Sequence, residues 1–501
     1  MVACEGSELK VAEVAAQLQR LADWVTEAAT SGTAAHEVER HVFRSLMTLG
    51  WQLLQMFFRM VGTGNLGASL RLPDGSTVVR LEQPHQRRYV SVFGEFLLPR
   101  VVYGTREGQA IAFVAVDQRL DLPESDFSYL LQEWDQLLGI EHAYGKVAEV
   151  MQTILDLKQS VDSLERMTRQ MAEAAEPFRQ ALPAPQQKDE GELLVGTIDN
   201  KGIPMVRPAD APLPGAHRTK GQKANKKQMA TLGCVYSVAA HVRTPQELVA
   251  ILFRDPDRPQ TQPPQPRQRR YGAALTRAEH GETIHAQTEV FQHMAHDIGL
   301  RRRPGQTLLY LSDGQRSLET DRHEHLPIDA DTVDILDLMH VLPRLWEAAH
   351  LFHPEGSVDA ETFVRHRLRK MLQGETGRVL GGLRQMGTKG VLSVTQRKRL
   401  ASLCDFLEAN RHRMKYDEYL AAGYPIATGV IEGACRHVIK DRMERAGMRW
   451  KVPGAQAMLQ LRAIAANEHW RAFQDFRIGH ETRRLYPHSQ ALENIPWLVA
   501  A

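Results

Sequence analysis

Three short apolar runs in this chain each end in an aspartate: Leu193 to Asp199, Thr307 to Asp313, and Thr332 to Asp337. Apolar runs of this length, bounded by polar residues, read as buried strands. Helical periodicity lies between and after them, from Ile284 to Ile298 and from Asp337 through Trp346. Strands alternating with helices predict an α/β sheet that is partly parallel. In such sheets a side chain at the C-terminal end of a strand emerges into the crevice where ligands bind. A further strand is expected from Met229 to Ala240, forming a hairpin with the first run. The proline-rich stretch from Asp255 to Arg270 reads as an exposed loop, neither strand nor helix.

Outside this region the pattern changes. From Lys10 to Val61 apolar residues recur at helical spacing, including Val14, Leu18, Leu21 and Trp24, then Val42, Leu46, Leu49 and Leu53, which predicts two amphipathic helices. Strand-like pieces follow at Thr77–Leu81, Arg88–Val92, Phe96–Tyr103 and Ala110–Val116. Helical periodicity returns from Phe127 to Ala181, with a break near Leu157 to Ser160 that fits a helix-turn-helix or an ordinary helical hairpin. The polar, proline-bearing segment Leu182 to Glu192 marks a boundary. Beyond Phe352 the chain is predominantly helical to about Phe476. The expected organisation is a helical N-terminal region with a small β module (1–125), a helical segment that would read DNA if its break is a helix-turn-helix (126–185), a catalytic α/β domain with helical inserts (190–476), and a polar tail (477–501).

A chain of 501 residues with 62 Lys+Arg against 60 Asp+Glu has a formal charge of +2. Affinity for nucleic acid must therefore come from local patches. Cys4, Cys234, Cys404 and Cys435 contain no CxxC pair, which argues against a disulfide scaffold or a zinc ribbon and suits a reducing cytoplasm. No run approaches the length of a membrane span, and the N-terminus lacks the character of a secretion signal.

Hard cations such as Mg2+ prefer carboxylate oxygens, and two-metal phosphoryl transfer needs carboxylates from different elements holding ions about 4 Å apart. Asp199 and Asp313 qualify as two of these. The run Gly423 to Trp450, which contains Ile431-Glu-Gly433, resembles the C-terminal signature of bacterial insertion-sequence transposases of the ISKra type. The resemblance extends to Thr197–Met205, Leu311–Gly314 and Ile335–Trp346, and covers about residues 193 to 476. It implies an RNase H-like core in which Glu432 completes a DDE triad with Asp199 and Asp313, at separations of 313 − 199 = 114 and 432 − 313 = 119 residues. It further implies two Mg2+ ions, for which Mn2+ would substitute, that assist water in cutting the ends of the element before the freed 3′ hydroxyls attack target DNA. The partners implied are terminal inverted repeats, target DNA and further copies of the chain, in a bacterial cytoplasm at the nucleoid. The rival expectations are an RNase H-like nuclease or resolvase that does not join ends, and a domesticated DNA-binding protein without catalysis.

Asp337 and His340 match the DxxH element of related transposases, with i,i+3 spacing on one helical face. That pair would orient the site or grip DNA, or else be a helix cap with a packed histidine. Asp334 is taken as structural. From Arg436 to Lys451 there are six Lys/Arg and two acids, a local balance of 6 − 2 = +4, and Arg436, Lys440, Arg442 and Arg449 are expected to face DNA phosphates. Trp450 would stack on an unpaired base or belong to the core. Lys220, Lys223, Lys226 and Lys227, with Arg218, form a second basic patch, read as a phosphate clamp or a solvated loop. Gly429 and Gly433 are spaced for close packing of a helix on the sheet. The chain departs from the family pattern after Gly314, where a tryptophan-containing segment is usual, and at Asn200, where a glycine is usual. The β module lacks paired cysteines, so no zinc site is expected there.

Overall fold

The computed structural model describes residues 5–83, 85–106, 111–206, 227–260, 262–279, 281–445 and 447–492. Two compact units are formed, Met1–Phe178 with Arg471–Ala501, and Arg179–Trp470.

The second unit is built on the three aspartate-bearing runs. β1 (Leu193–Pro204), β2 (Lys227–Val238), β3 (Arg267–Leu275), β4 (Leu308–Ser312) and β5 (Thr332–Leu336) form one sheet in the order β5-β4-β1-β2-β3. β4 lies parallel to β1 and β5, whereas β2 is antiparallel to β1 and β3, so the sheet is mixed, as the alternation of strands and helices predicts. β1 does not stop at Asp199. It continues to Pro204 because β2 pairs with it throughout, Asp199 opposite Leu232 and Pro204 opposite Lys227. β3 overturns part of the loop expected from Asp255 to Arg270: beyond the last proline, Pro266, the backbone donors are available for pairing, and Arg270 is buried against Asp297 at 3.0 Å.

Side-chain alternation divides the sheet into two faces. Leu194, Ile198, Val235, Ala274, Leu308 and Tyr310 pack with Val290, Phe291, Met294 and Ile298 of α1 (Ala286–Arg301). Gly233 permits this close approach, since a Cβ there would lie 2.5 Å from Val290 Cγ1 and 2.8 Å from Met294 Sδ. α2 (Leu338–Ala349) follows β5 directly, and the chain is then predominantly helical as expected. α3 (Gly429–Ala434) lies against β1 and β2, and α4 (Val452–Ala466) lies against β3. Along the outer edge of β3, Gln456 accepts from the Leu275 N–H (2.7 Å) and Asn467 accepts from the Tyr271 N–H (2.7 Å). Side chains thus occupy backbone groups that an open edge would offer to another strand.

The first unit contains the two expected N-terminal helices, Glu5–Ser31 and Ala35–Val61. Its β module consists of a hairpin, His85–Ser91 with Gly94–Arg100, and a three-stranded sheet of Ser69–Arg71, Thr77–Arg80 and Tyr103–Gly104. The strand expected from Ala110 to Val116 is absent among the described residues; Phe113 makes one bridge to Tyr103 and the chain turns into helix Ala115–Arg119, whose buried Asp117 pairs with Arg87 and Arg100. Helices Tyr144–Leu155 and Val161–Ala172 flank the expected break. Asp156 adopts φ 56°, and Ser160 caps the second helix by accepting from the Ser163 N–H. The sequence boundary at 476 falls inside helix Trp470–Leu485, where Phe473 meets Phe178 (centroids 5.4 Å apart) and Arg477 donates to Gln132 (2.9 Å).

Candidate carboxylate site

Register brings the three aspartates level. Leu311 stands beside Thr197 and Ser312 beside Leu336. Continued by one or two residues, this pairing sets Asp313, just past β4, between Asp199 of β1 and Asp337, just past β5. Alternation from Ile198, which faces α1, turns Asp199 toward the other face of the sheet, where α3 lies.

Asp337 is fully buried. It caps α2: Oδ1 accepts from the Met339 N–H at 2.7 Å, and the Thr428 hydroxyl donates to Oδ2. The backbone around it is tied as well, because Asp337 N–H donates to Ser312 O (2.9 Å) and Leu338 N–H to Ile426 O (2.9 Å). Burial pushes the Asp337 carboxyl above the usual carboxylate range, against the opposing pull of Thr428, the Met339 N–H and His340. The His340 ring stands with Nε2 3.9 Å from Asp337 Oδ2.

Asp313 is half-buried, one residue past β4. Its Oδ1 accepts from the Gln315 N–H at 2.9 Å, closing a turn in which Gly314 takes φ +85°. A side chain at Gly314 would also meet Leu336 Cδ1 at 2.9 Å, so both conformation and space require glycine. The end of β4 is held by buried Arg413, which donates to Ser312 Oγ (3.1 Å) and to Asn410 Oδ1.

Glu432 is exposed on α3. The helix then widens into a π-helical stretch over Cys435–Lys440, a form that is frequent at functional sites. Because of that widening, Arg436 and Lys440 do not continue a regular i+4, i+8 face from Glu432, although both are exposed. The Cys435 thiol is buried; burial pushes it up, and the nearby Asp199 and Glu432 carboxylates push it further. Asp199 and Glu432 therefore share a neighbour across the site. Asp199 Oδ1 accepts from the Asn200 N–H at 2.7 Å.

Among the described residues, one trio of potential ligands is grouped tightly: a donor atom from each of Asp337, His340 and Glu432 lies within 4.8 Å of the other two. Asp199 and Asp313 are outside that trio. Asp199 shares Cys435 as a neighbour with Glu432. The donor set suits divalent cations, being carboxylates with one imidazole.

The basic residues part ways. Lys220, Lys223 and Lys226, with Arg218, lie outside the described residues. Lys227 is exposed at the start of β2 and ion-paired with Glu444. Arg436, Lys440 and Arg449 are exposed, with Arg436 3.9 Å from Asp441. Arg442 and Trp450 depart from the expectation of DNA contact. They are 1% and 6% exposed, and the Arg442 guanidinium lies 5.0 Å from the Trp450 ring. Trp450 extends the sheet end through two backbone bonds, its N–H to Pro204 O (3.0 Å) and the Val206 N–H to its own carbonyl (2.7 Å). Nor do Gly429 and Gly433 pack closely, since a Cβ at either would meet nothing within 4 Å. Asp334 has the structural role expected, pairing with buried Arg322 at 2.8 Å.

Cys435, Thr428 and Arg413 were not singled out in the sequence. Only Cys435 carried a local signal, three residues after Glu432 on one helical face. Thr428 and Arg413 reach their partners through tertiary contacts.

No family model matches the chain, and no curated protein matches it. Among solved structures it is similar to the Drosophila P element transposase strand transfer complex, at 10% identity over 75% of this chain and 89% of that one, with a TM-score of 0.24. At that distance the likeness decides neither fold nor chemistry. No helix among the described residues is long and apolar enough to cross a membrane.

Proposed function

We propose that this chain is a DNA transposase with an RNase H-like core and a DDE site of Asp199, Asp313 and Glu432. The observation that carries the reading is the alignment of Asp199 on β1 with Asp313 and Asp337, the residues that follow β4 and β5, with both Asp199 and Glu432 near Cys435. The resemblance of the 423–450 run to insertion-sequence transposases supports the same residues.

In this reading Asp199, Asp313 and Glu432 hold Mg2+ or Mn2+, which when bound stabilises the attacking and leaving oxygens of an in-line displacement at a DNA phosphate. The chain supplies the rest. The Asn200 N–H, donating to Asp199 Oδ1 at 2.7 Å, orients the first carboxylate, and the Asp313-Gly314 turn holds the second just past the end of β4. Exposed Arg436, Lys440 and Arg449 attract the phosphate backbone next to the site. The helices Tyr144–Leu155 and Val161–Ala172 are a candidate DNA-reading pair. Synapsis of two element ends suggests a dimer or larger assembly.

The test is to incubate the full chain with Mg2+ and its own flanking inverted repeats, then to repeat the assay with precut ends and target DNA. Cleavage and joined products are expected, and Asp199→Asn or Glu432→Gln should lower both on the order of 10³-fold. Cleavage without joining would make the protein a nuclease, and unchanged function in Asp199→Asn would leave only a DNA-binding role.

A further inference from the structure

We infer that Asp337, His340 and Glu432 form a divalent-cation site that favours a transition ion, Mn2+ or Zn2+, over Mg2+. The site shares Glu432 with the proposed triad, and to that extent rests on that reading, but its geometry stands without it.

Three observations carry the inference. The donor atoms of the trio lie within 4.8 Å of one another, and the His340 Nε2 to Asp337 Oδ2 separation is 3.9 Å. That is too long for a hydrogen bond. Two ligands of one ion bound at about 2.1 Å stand about 3.0 to 3.4 Å apart, so a small closure around an ion completes the set. Next, both oxygens of Asp337 are already oriented, by the Met339 N–H and by Thr428, yet a carboxylate has about four lone-pair positions and these donors use two. A ligand held in this way keeps its rotamer when metal binds. Lastly, the burial is graded. Asp337 is 0% exposed, the His340 side chain is 41% exposed, and Glu432 is exposed. An ion seated on Asp337 would therefore face solvent on one side, with three protein ligands and open positions for water or a substrate oxygen.

The choice of ion follows from the nitrogen. Mg2+ takes oxygen ligands and resists giving up its waters, whereas imidazole suits the later first-row ions. The partial positive charge at the N-terminus of α2 opposes any cation here, but the two carboxylates carry the larger opposite charge.

The experiment uses the metal-stripped full chain without DNA, titrated with Mn2+ and followed by electron paramagnetic resonance and calorimetry. A bound Mn2+ carrying a histidine-nitrogen coupling is expected, displaced by Zn2+. His340→Ala should abolish the coupling and weaken Mn2+ binding by about ten- to a hundredfold, with Mg2+ binding nearly unchanged. His340→Gln, of similar bulk, should also lack the coupling, and circular dichroism confirms that each variant folds. A wild-type spectrum without nitrogen coupling, or a His340→Ala chain that binds Mn2+ like the wild type, overturns the site. Asp199→Asn separates the two readings: it should abolish DNA cleavage and keep the nitrogen-coupled Mn2+. Cleavage by a wild-type chain lacking that signal removes this inference alone, and the signal in a chain that never cleaves DNA removes the transposase reading alone.

Discussion

Among the described residues, each unit has one aspartate with no exposed surface, and their surroundings differ. Asp337 lies at a strand end in the second unit, with a backbone N–H, a hydroxyl and an imidazole directed at its carboxylate. Asp135 lies within helix Tyr129–Gly139 of the first unit, near an apolar cluster that includes Leu131, Val147, Met151 and Leu164. One Asp135 oxygen accepts from Gln159 Nε2 at 2.8 Å and the other has no hydrogen-bond partner. Burial pushes the Asp135 carboxyl up to about 7. The comparison teaches that burial alone does not mark a working carboxylate. Polar groups converging on both oxygens, with further potential ligands in reach, distinguish the proposed ligand Asp337 from a carboxyl that the fold holds most easily in its neutral form.

The largest effect expected from this contrast is on stability against pH. A carboxyl whose folded pKa is raised contributes stability that is fully present below its unfolded value of 3.8 and is lost as pH rises through about 7. At about 1.4 kcal/mol for each pH step of one between those two values, the first unit should lose up to about 4 kcal/mol across that window. Urea unfolding of Asp135→Asn should show most of this slope gone, and an identical slope in the variant would remove Asp135 from the account. A smaller effect is expected at the other site. Asp337→Ala leaves the Thr428 hydroxyl and the Met339 N–H without their acceptor and uncaps α2, which should cost about 2 kcal/mol in unfolding of the metal-free second unit. A variant as stable as the parent would mean that the Asp337 contacts do not hold the strand end.

The smallest effect concerns α3, which carries Glu432. Gly433→Ala introduces a methyl into open space and should raise stability by about 0.5 to 1 kcal/mol. A stabilised variant that loses DNA cleavage would show that a substrate backbone approaches this glycine. A destabilised one would contradict the open space around it.

Much of the second unit was legible in the chain because its signals are local. An apolar run followed by aspartate specifies a strand, and at Asp313 and Asp337 the carboxylate that follows its end, although β1 runs on past Asp199; Gly after Asp313 specifies the turn that holds it. β3 was missed because its strand begins in the arginine-rich end of a proline-rich loop, where burial of Arg270 depends on Asp297 in a distant helix. Trp450 and Arg442 read as a DNA-facing pair because they sit in a basic run. They are instead buried together, for the backbone bonds of Trp450 to Pro204 and Val206 carry that segment onto the end of β1.

By itself the sequence determined the α/β character of the second unit, the helical N-terminal pair, and the apolar runs that the three aspartates follow. Each of these follows from residue spacing within a few turns or pleats. Only the tertiary structure decided which carboxylates have company. Register across three strands, a helix nearly a hundred residues beyond β5, and the burial of Asp337 are set by contacts between distant segments, and no local pattern encodes the distance between Glu432 and His340.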